Sequence, residues 1–212
     1  QTGFLGGLGL PVLLSWVVGG VLAASVAWVI GKVTLGLRSD YLAIATLGIS
    51  EIIIAVLKNE EWLTRGVKNV NGIPRPMPYE YDLQQQLWAQ EWAAWFGADL
   101  QDFTSIYVKL CSAGLALVML GVLYWLSQTA IKSPWGRMMR AIRDNETAAL
   151  AMGKHVTGRH LQVFILGSAV VGIAGAMMTS FDGQFTPTTY NPLRFTFLVW
   201  VMVIVGGSGN NL

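Results

Sequence analysis

From Leu10 to Ile30 the chain reads LPVLLSWVVGGVLAASVAWVI, 21 residues without a charge. A helix needs about 20 apolar residues to cross the ~30 Å hydrocarbon core of a bilayer. Inside that core only helices and closed barrels satisfy their own backbone. The stretch therefore predicts a membrane-spanning helix at 10–30, and Gly19-Gly20 with Ala23-Ala24 gives it a small-residue face suited to close helix packing. Composition agrees: 53% of residues are hydrophobic and 12% charged, against the roughly 25% charged usual in soluble domains.

Four more apolar segments follow, at about 41–57, 105–127, 161–181 and 193–207. The expectation is an all-α integral membrane protein, a single polytopic helical bundle of about five spans over residues 1–212. The chain begins at Gln1 and ends in Asn210-Asn211-Leu212 just after Gly206-Gly207-x-Gly209, which reads as a sequence cut at both ends. The second segment is short and carries Glu51, about 15 Å from Tyr41 at a rise of 1.5 Å per residue. A carboxylate at that depth costs a few kcal/mol and should face protein or a watery cavity. Two readings stand side by side: Thr46 and Glu51 line a translocation pathway, or Glu51 is a structural residue satisfied by Thr46, Ser50 or a neighbouring helix. The fourth segment carries a small-residue ladder, Ser168-x3-Gly172-x3-Ala176, expected to be buried among other helices. The fifth is too short to cross alone over Leu193–Val205 and is re-entrant or continues.

Residues 58–104 form a long polar connection with four basic and seven acidic residues. Pro74, Pro76 and Pro78 keep its middle extended and out of helix. Beyond them Leu83, Leu87, Trp88, Trp92, Trp95 and Phe96 recur at helical spacing. Tryptophans in such a stripe suit a helix lying in the headgroup region; a substrate-stacking aromatic box is the alternative.

The segment Lys132–His160 holds six of the chain's 14 Lys and Arg. A short loop this basic is expected on the cytoplasmic side. Counting back through the spans puts 58–104 on the periplasmic side and returns the Lys32–Asp40 turn to the cytoplasm. The two short basic connections thus fall together, which explains the charge better than a nucleic-acid footprint does. Cys111 lies in an apolar run and makes no disulfide framework. His155 and His160, read as loop residues, have no carboxylate or thiol cluster beside them, so no metal site is expected. No Gly-x4-Gly-Lys-Ser/Thr phosphate cradle occurs, so ATP chemistry is not expected here.

Within the basic segment Ser133 and Pro134 read as a helix start. No breaker intervenes from Arg137 to Met152, and Gly153 is placed to stop the helix. Met138, Ala141, Ile142, Ala148, Ala149 and Met152 fall mainly on one face. Arg140 with Asp144, and Arg143 with Glu146, have the spacing of helical ion pairs. The small alanine-rich face predicts close approach of another protein, with binding to an anionic leaflet as the alternative.

RAIRDNETAALAMG, together with LRSDYLAIATLGISEI upstream, resembles the LivM-type permeases of branched-chain amino acid ABC importers. Thr147-Ala148-Ala149-x-x-x-Gly153 fits the spacing of the Glu-Ala-Ala-x-x-x-Gly coupling loop of ABC import permeases, with Glu146 one place early. The likeness runs through 35–51, 133–157, the Gly-rich fourth span and the terminal glycines. Two departures lie in the 58–104 connection: a longer, more basic turn at 64–73 and the Trp-rich segment after it. The resemblance implies a permease subunit in a bacterial inner membrane, translocating branched-chain or related amino acids. Its partners would be a second permease subunit, two cytoplasmic ATPases that hold ATP and Mg, a periplasmic solute-binding protein, and membrane lipid. Arg140, Arg143, Glu146, Ala148, Ala149 and Gly153 would couple to the ATPases. The alternatives are a urea or short-amide permease of the same family and a non-transporting scaffold with a lipid-binding basic helix.

Overall fold

A computed structural model describes residues 10–37, 39–60, 70–97, 99–186 and 192–207. The order is α1 (Val12–Thr34), α2 (Ser39–Asn59), β1 (Val70–Asn71), α3 (Glu80–Gln84), α4 (Leu87–Phe96), α5 (Leu100–Lys132), α6 (Pro134–Asp144), α7 (Glu146–Ala151), α8 (Val156–Asp182), β2 (Gln184–Phe185) and α9 (Pro192–Gly206). Among the described residues, α1, α5 and α8 are each long and apolar enough to cross a membrane. The all-α membrane architecture holds. The helices outrun their apolar runs: α5 has 33 residues, against the 23 of the 105–127 segment.

Small residues decide the main helix contact. α1 and α8 run antiparallel, with Gly31 against Leu161 and Phe164 at one end and Gly19 against Ala176 further along. A Cβ on Gly172 would lie 2.5 Å from Ala23 Cβ and 3.0 Å from the Gly19 carbonyl. Backbones this close gain dispersion contact that larger side chains would prevent. At the far end Trp16 is 2% exposed; its indole N–H donates to Ser180 Oγ at 3.0 Å, and its ring meets Phe181 edge-on. Ser180 in turn donates to the Ala176 carbonyl at 2.8 Å, so a polar pair inside an apolar seam is satisfied. The antiparallel pairing sets the Lys32 end of α1 beside the start of α8, so the two basic connections share one end of the bundle.

At the other end β1 pairs antiparallel with β2, Val70 opposite Phe185 and Asn71 opposite Gln184. Arg75 reaches across, donating from Nη2 to the Asp182 carbonyl at 3.1 Å. A cation there opposes the negative end of the α8 dipole. Residues 72–79 make no helix, as their three prolines require, and helix resumes at Glu80.

The Trp-rich segment differs from expectation in one way: it breaks between α3 and α4, where Gln86 is extended. Leu83, Ala89 and Ala93 are buried, whereas Leu87 and Trp95 are 76% and 77% exposed. The small residues are the covered ones, and Trp88 and Phe96 reach α5 at Tyr107 and Phe103. Thr104, on α5, accepts from Gln84 Nε2 at 3.3 Å and fastens α3 to the same helix.

The α1–α8 seam is directly testable. Gly172→Val forces apart two backbones and should destabilise the chain by about 1–3 kcal/mol, the range for overpacking. Gly175→Val on the same helix meets nothing within 4 Å and should leave thermal unfolding in detergent unchanged.

Candidate functional site

The chain leaves α5 through a tight corner. Ser133 Oγ accepts from the Gly136 N–H at 3.3 Å and donates to the Ala130 carbonyl at 2.6 Å; Pro134 follows as the first helical residue. Gly136 is buried, and a Cβ there would collide with the Ile131 carbonyl and lie 2.5 Å from that of Ala130. Ser133 and Pro134 mark this corner in the sequence, whereas Gly136 carries no signal there beyond being a glycine in a first turn.

The last four carbonyls of a helix have no partner within it. In α5 all four are met. Ser133 N–H donates to Thr129 and Ala130 at 3.1 and 3.2 Å, Arg140 Nη2 to Ile131 at 3.3 Å, and Arg137 Nη1 to Lys132 at 3.5 Å. The expected Arg140–Asp144 and Arg143–Glu146 pairs give way to this arrangement. Arg140 turns back to α5, and Arg143 pairs instead with Asp144 at 3.1 Å. That pair is exposed and contributes at most about 1 kcal/mol.

The predicted single helix over 137–152 is two. Asn145 is extended (φ −157°, ψ 98°) and its Oδ1 accepts from the Ala148 N–H at 2.9 Å. Asparagine is among the strongest N-caps, so the side chain starts α7 where apolar periodicity alone suggested continuity. Glu146 then sits in the first turn of α7, where its charge suits the positive helix end. Gly153 stops the helix as expected, at φ 73°. Lys154 N–H donates to Ala149 and Gly153 N–H to Leu150, the paired bonds of a Schellman ending.

The break redistributes the alanine face. Ile142, Ala149 and Val156 pack together, with Met138 and Met139 against them. Ala148 and Gly153 are exposed, and Met152 is 80% exposed. Between α6 and α7 runs an open apolar groove of about 690 Å³, lined by Trp135, Met138, Ala141, Ala148 and Met152 among others. On its other side the unit is tied to α8: Gln162 Oε1 accepts from Trp135 Nε1 at 3.3 Å and from Arg159 Nη1 at 2.9 Å. His155 lies in the connection before α8, as its N-cap, whereas His160 lies inside that helix and is not a loop residue.

The other predicted pair is not brought together. Thr46 and Glu51 both lie on α2, but five residues apart they point about 140° from one another. Glu51 is exposed, and the Thr46 and Ser50 hydroxyls donate to the carbonyls of Leu42 and Leu47. The 64–73 turn lies outside the described residues as far as position 69.

A family model described as branched-chain amino acid transport system / permease component matches residues 2–212. The chain belongs to this permease family. It is 28% identical over 194 residues to the high-affinity branched-chain amino acid transport system permease protein LivM of Salmonella typhimurium, covering 90% of this chain and 45% of that one. LivM of Escherichia coli is likewise 28% identical over 196 residues, 91% of this chain and 45% of that one. The probable LivM of Methanocaldococcus jannaschii is 24% identical over 211 residues, 98% and 52% of the two chains. The chain therefore spans about half the length of these curated relatives. No solved structure matches it.

Asn145→Ala should cost about 1 kcal/mol, the usual value of an N-cap, and speed hydrogen exchange at the Ala148 amide. Asn145→Asp should retain both.

Proposed function

We propose that the chain is a membrane-spanning permease subunit of an ATP-binding-cassette importer for branched-chain or related amino acids. In this reading a periplasmic binding protein delivers the solute to the side that carries 58–104. A second permease subunit completes the path, and two cytoplasmic ATPases, holding ATP and Mg, dock at α6 and α7. The whole lies in a bacterial inner membrane with 128–160 cytoplasmic. Family membership and the LivM relatives support amino-acid transport.

The observation that carries the coupling part is the α6–α7 groove: an apolar surface held by hydrogen bonds to the end of α5 and to the start of α8. A partner that moves such a surface pulls on two long apolar helices at once. Within the proposal Ala148, Met152 and Gly153 make contact. Ala149 supports them from beneath, while Arg140 fixes the groove to α5. Arg143 and Glu146, outside its lining, would meet the partner beside it. Thr46 and Glu51 remain the proposed pathway residues on α2, acting singly rather than as a pair. Apolar docking of this kind separates the reading from a scaffold that binds lipid through its arginines, because two of the three arginines of α6 already serve α5.

Two measurements test the proposal. Ala148→Arg should reduce co-purification of the cognate ATPases at least ~10-fold, a loss of roughly 1.4 kcal/mol, while the chain stays folded; an intact complex would sink the coupling reading. Uptake of labelled leucine by the full complex should be competed by branched-chain amino acids and not by urea, and Glu51→Gln should lower that uptake without loss of folded protein. Competition by urea instead would transfer the chain to the short-amide branch.

A further inference from the structure

We propose that the aromatic flank of α4 is seated in the headgroup region of the bilayer leaflet opposite α6 and α7, against zwitterionic lipid. The depth of α4 follows from α5. Between Lys109 and Lys132 lie 22 residues without a charge, about 33 Å of helix at 1.5 Å per residue, which matches the ~30 Å hydrocarbon core. The turns of α5 before Lys109 must then stand at headgroup level, with Lys109 able to snorkel. Those turns carry Phe103 and Tyr107, the residues that α4 meets.

The contact is an unbroken run of rings. Trp88 meets Tyr107 edge-on at 5.5 Å, Phe103 stacks with both Tyr107 and Phe96, and Phe96 touches Trp92 and Trp95. The run continues directly into the exposed side of α5, where Ile106 and Leu110 are 57% and 66% exposed. On α4, Trp92 and Phe96 are half-exposed or more while Ala89 and Ala93 are buried. The aromatic flank is therefore lateral, level with the membrane boundary and continuous with a surface that lipid must cover. Indole and phenol rings are favoured at that boundary because one end is apolar and the other meets water.

Charge selects among lipids. Residues 80–102 carry five carboxylates and no Lys or Arg, and Glu91 borders a cleft with Trp92 and Trp95. Anionic headgroups are repelled there, whereas the ammonium of a zwitterionic headgroup meets carboxylate and indole faces together.

The test places a nitroxide at Trp95→Cys and, on the opposite side of α4, at Gln90→Cys, each with Cys111→Ser. The complete transporter is reconstituted in phosphatidylcholine vesicles. The label at 95 should be relaxed more by dissolved oxygen than by a water-soluble nickel chelate, with the order reversed at 90. Equal behaviour at the two sites overturns the proposal. So does shielding of 95 from both reagents, which would mean that a protein partner covers the flank. Should Trp95→Cys fail to assemble, Trp92→Cys takes its place. In an independent arm, Trp92→Phe with Trp95→Phe should remove part of the tryptophan quenching caused by lipids brominated close to the headgroup; undiminished quenching also overturns it.

Discussion

The end of α5 governs the arrangement around it. A 33-residue helix that emerges from hydrocarbon still presents four unpaired carbonyls, and each left dry would cost free energy comparable to a lost hydrogen bond. This chain meets them from the segment that follows. Ser133 takes the first two, and Arg140 and Arg137 turn back for the others. The two guanidinium groups thereby fix the direction in which α6 departs, and the missing Cβ of Gly136 lets it depart so closely. The apolar groove exists where it does because the polar groups beside it are already occupied.

A second consequence concerns how motion would pass through the molecule. α5 makes its substantial contacts with α3, α4 and α6, and α1 makes its own with α8. The two groups are joined at one end by α6 and α7, through the Arg–carbonyl bonds on one side and the Gln162 acceptor on the other. At the opposite end β1–β2 and Arg75 tie the segment after α2 to the end of α8, and Arg75 also lies over Tyr79, the N-cap of α3, which packs on α5. A displacement of α6 and α7 therefore reaches both groups through direct hydrogen bonds, whereas one among β1, β2 and Arg75 reaches α5 only through the short stretch leading into α3. Rocking of one group against the other about the α6–α7 unit is the motion this connectivity allows.

What could be read without coordinates divides along physical lines. Apolar length gave α1, α5 and α8, and small residues marked a packing face on α1 and another on α8, because both signals depend on composition within one helix; that the two faces meet each other is in neither pattern. Ser133, Pro134 and Gly153 were legible for the same reason: a cap is chosen by its immediate neighbours. Asn145 was not, since an asparagine flanked by Asp144 and Glu146 is compatible with a solvated helix face. Only the competition between continuing a helix and capping a new one decides it. The arginines misled differently. Spacing at i and i+4 pointed to Asp144, but the carbonyls of α5 were nearer claimants, and no pattern within α6 reveals what the end of α5 needs. The Trp-rich segment shows the same limit: its helical spacing was legible, but the break at Gln86 and the burial of Ala89 and Ala93 were not.

The burial of small residues bears on how this family's features should be weighed. In a bilayer a large apolar side chain gains little by turning inward, because lipid is as apolar as a protein core. The close approach that distinguishes one neighbour from another comes from the residues that are missing volume. Gly172 against Ala23 and Gly136 at the corner each mark a place where backbones meet, and Ala89 and Ala93 are the buried residues of α4. Ala148 and Gly153, small and exposed, offer the same shape with none of the described residues upon it. The contrast with Ala149, alike in type but already covered by Ile142 and Val156, separates small residues that complete this fold from those left open at its surface.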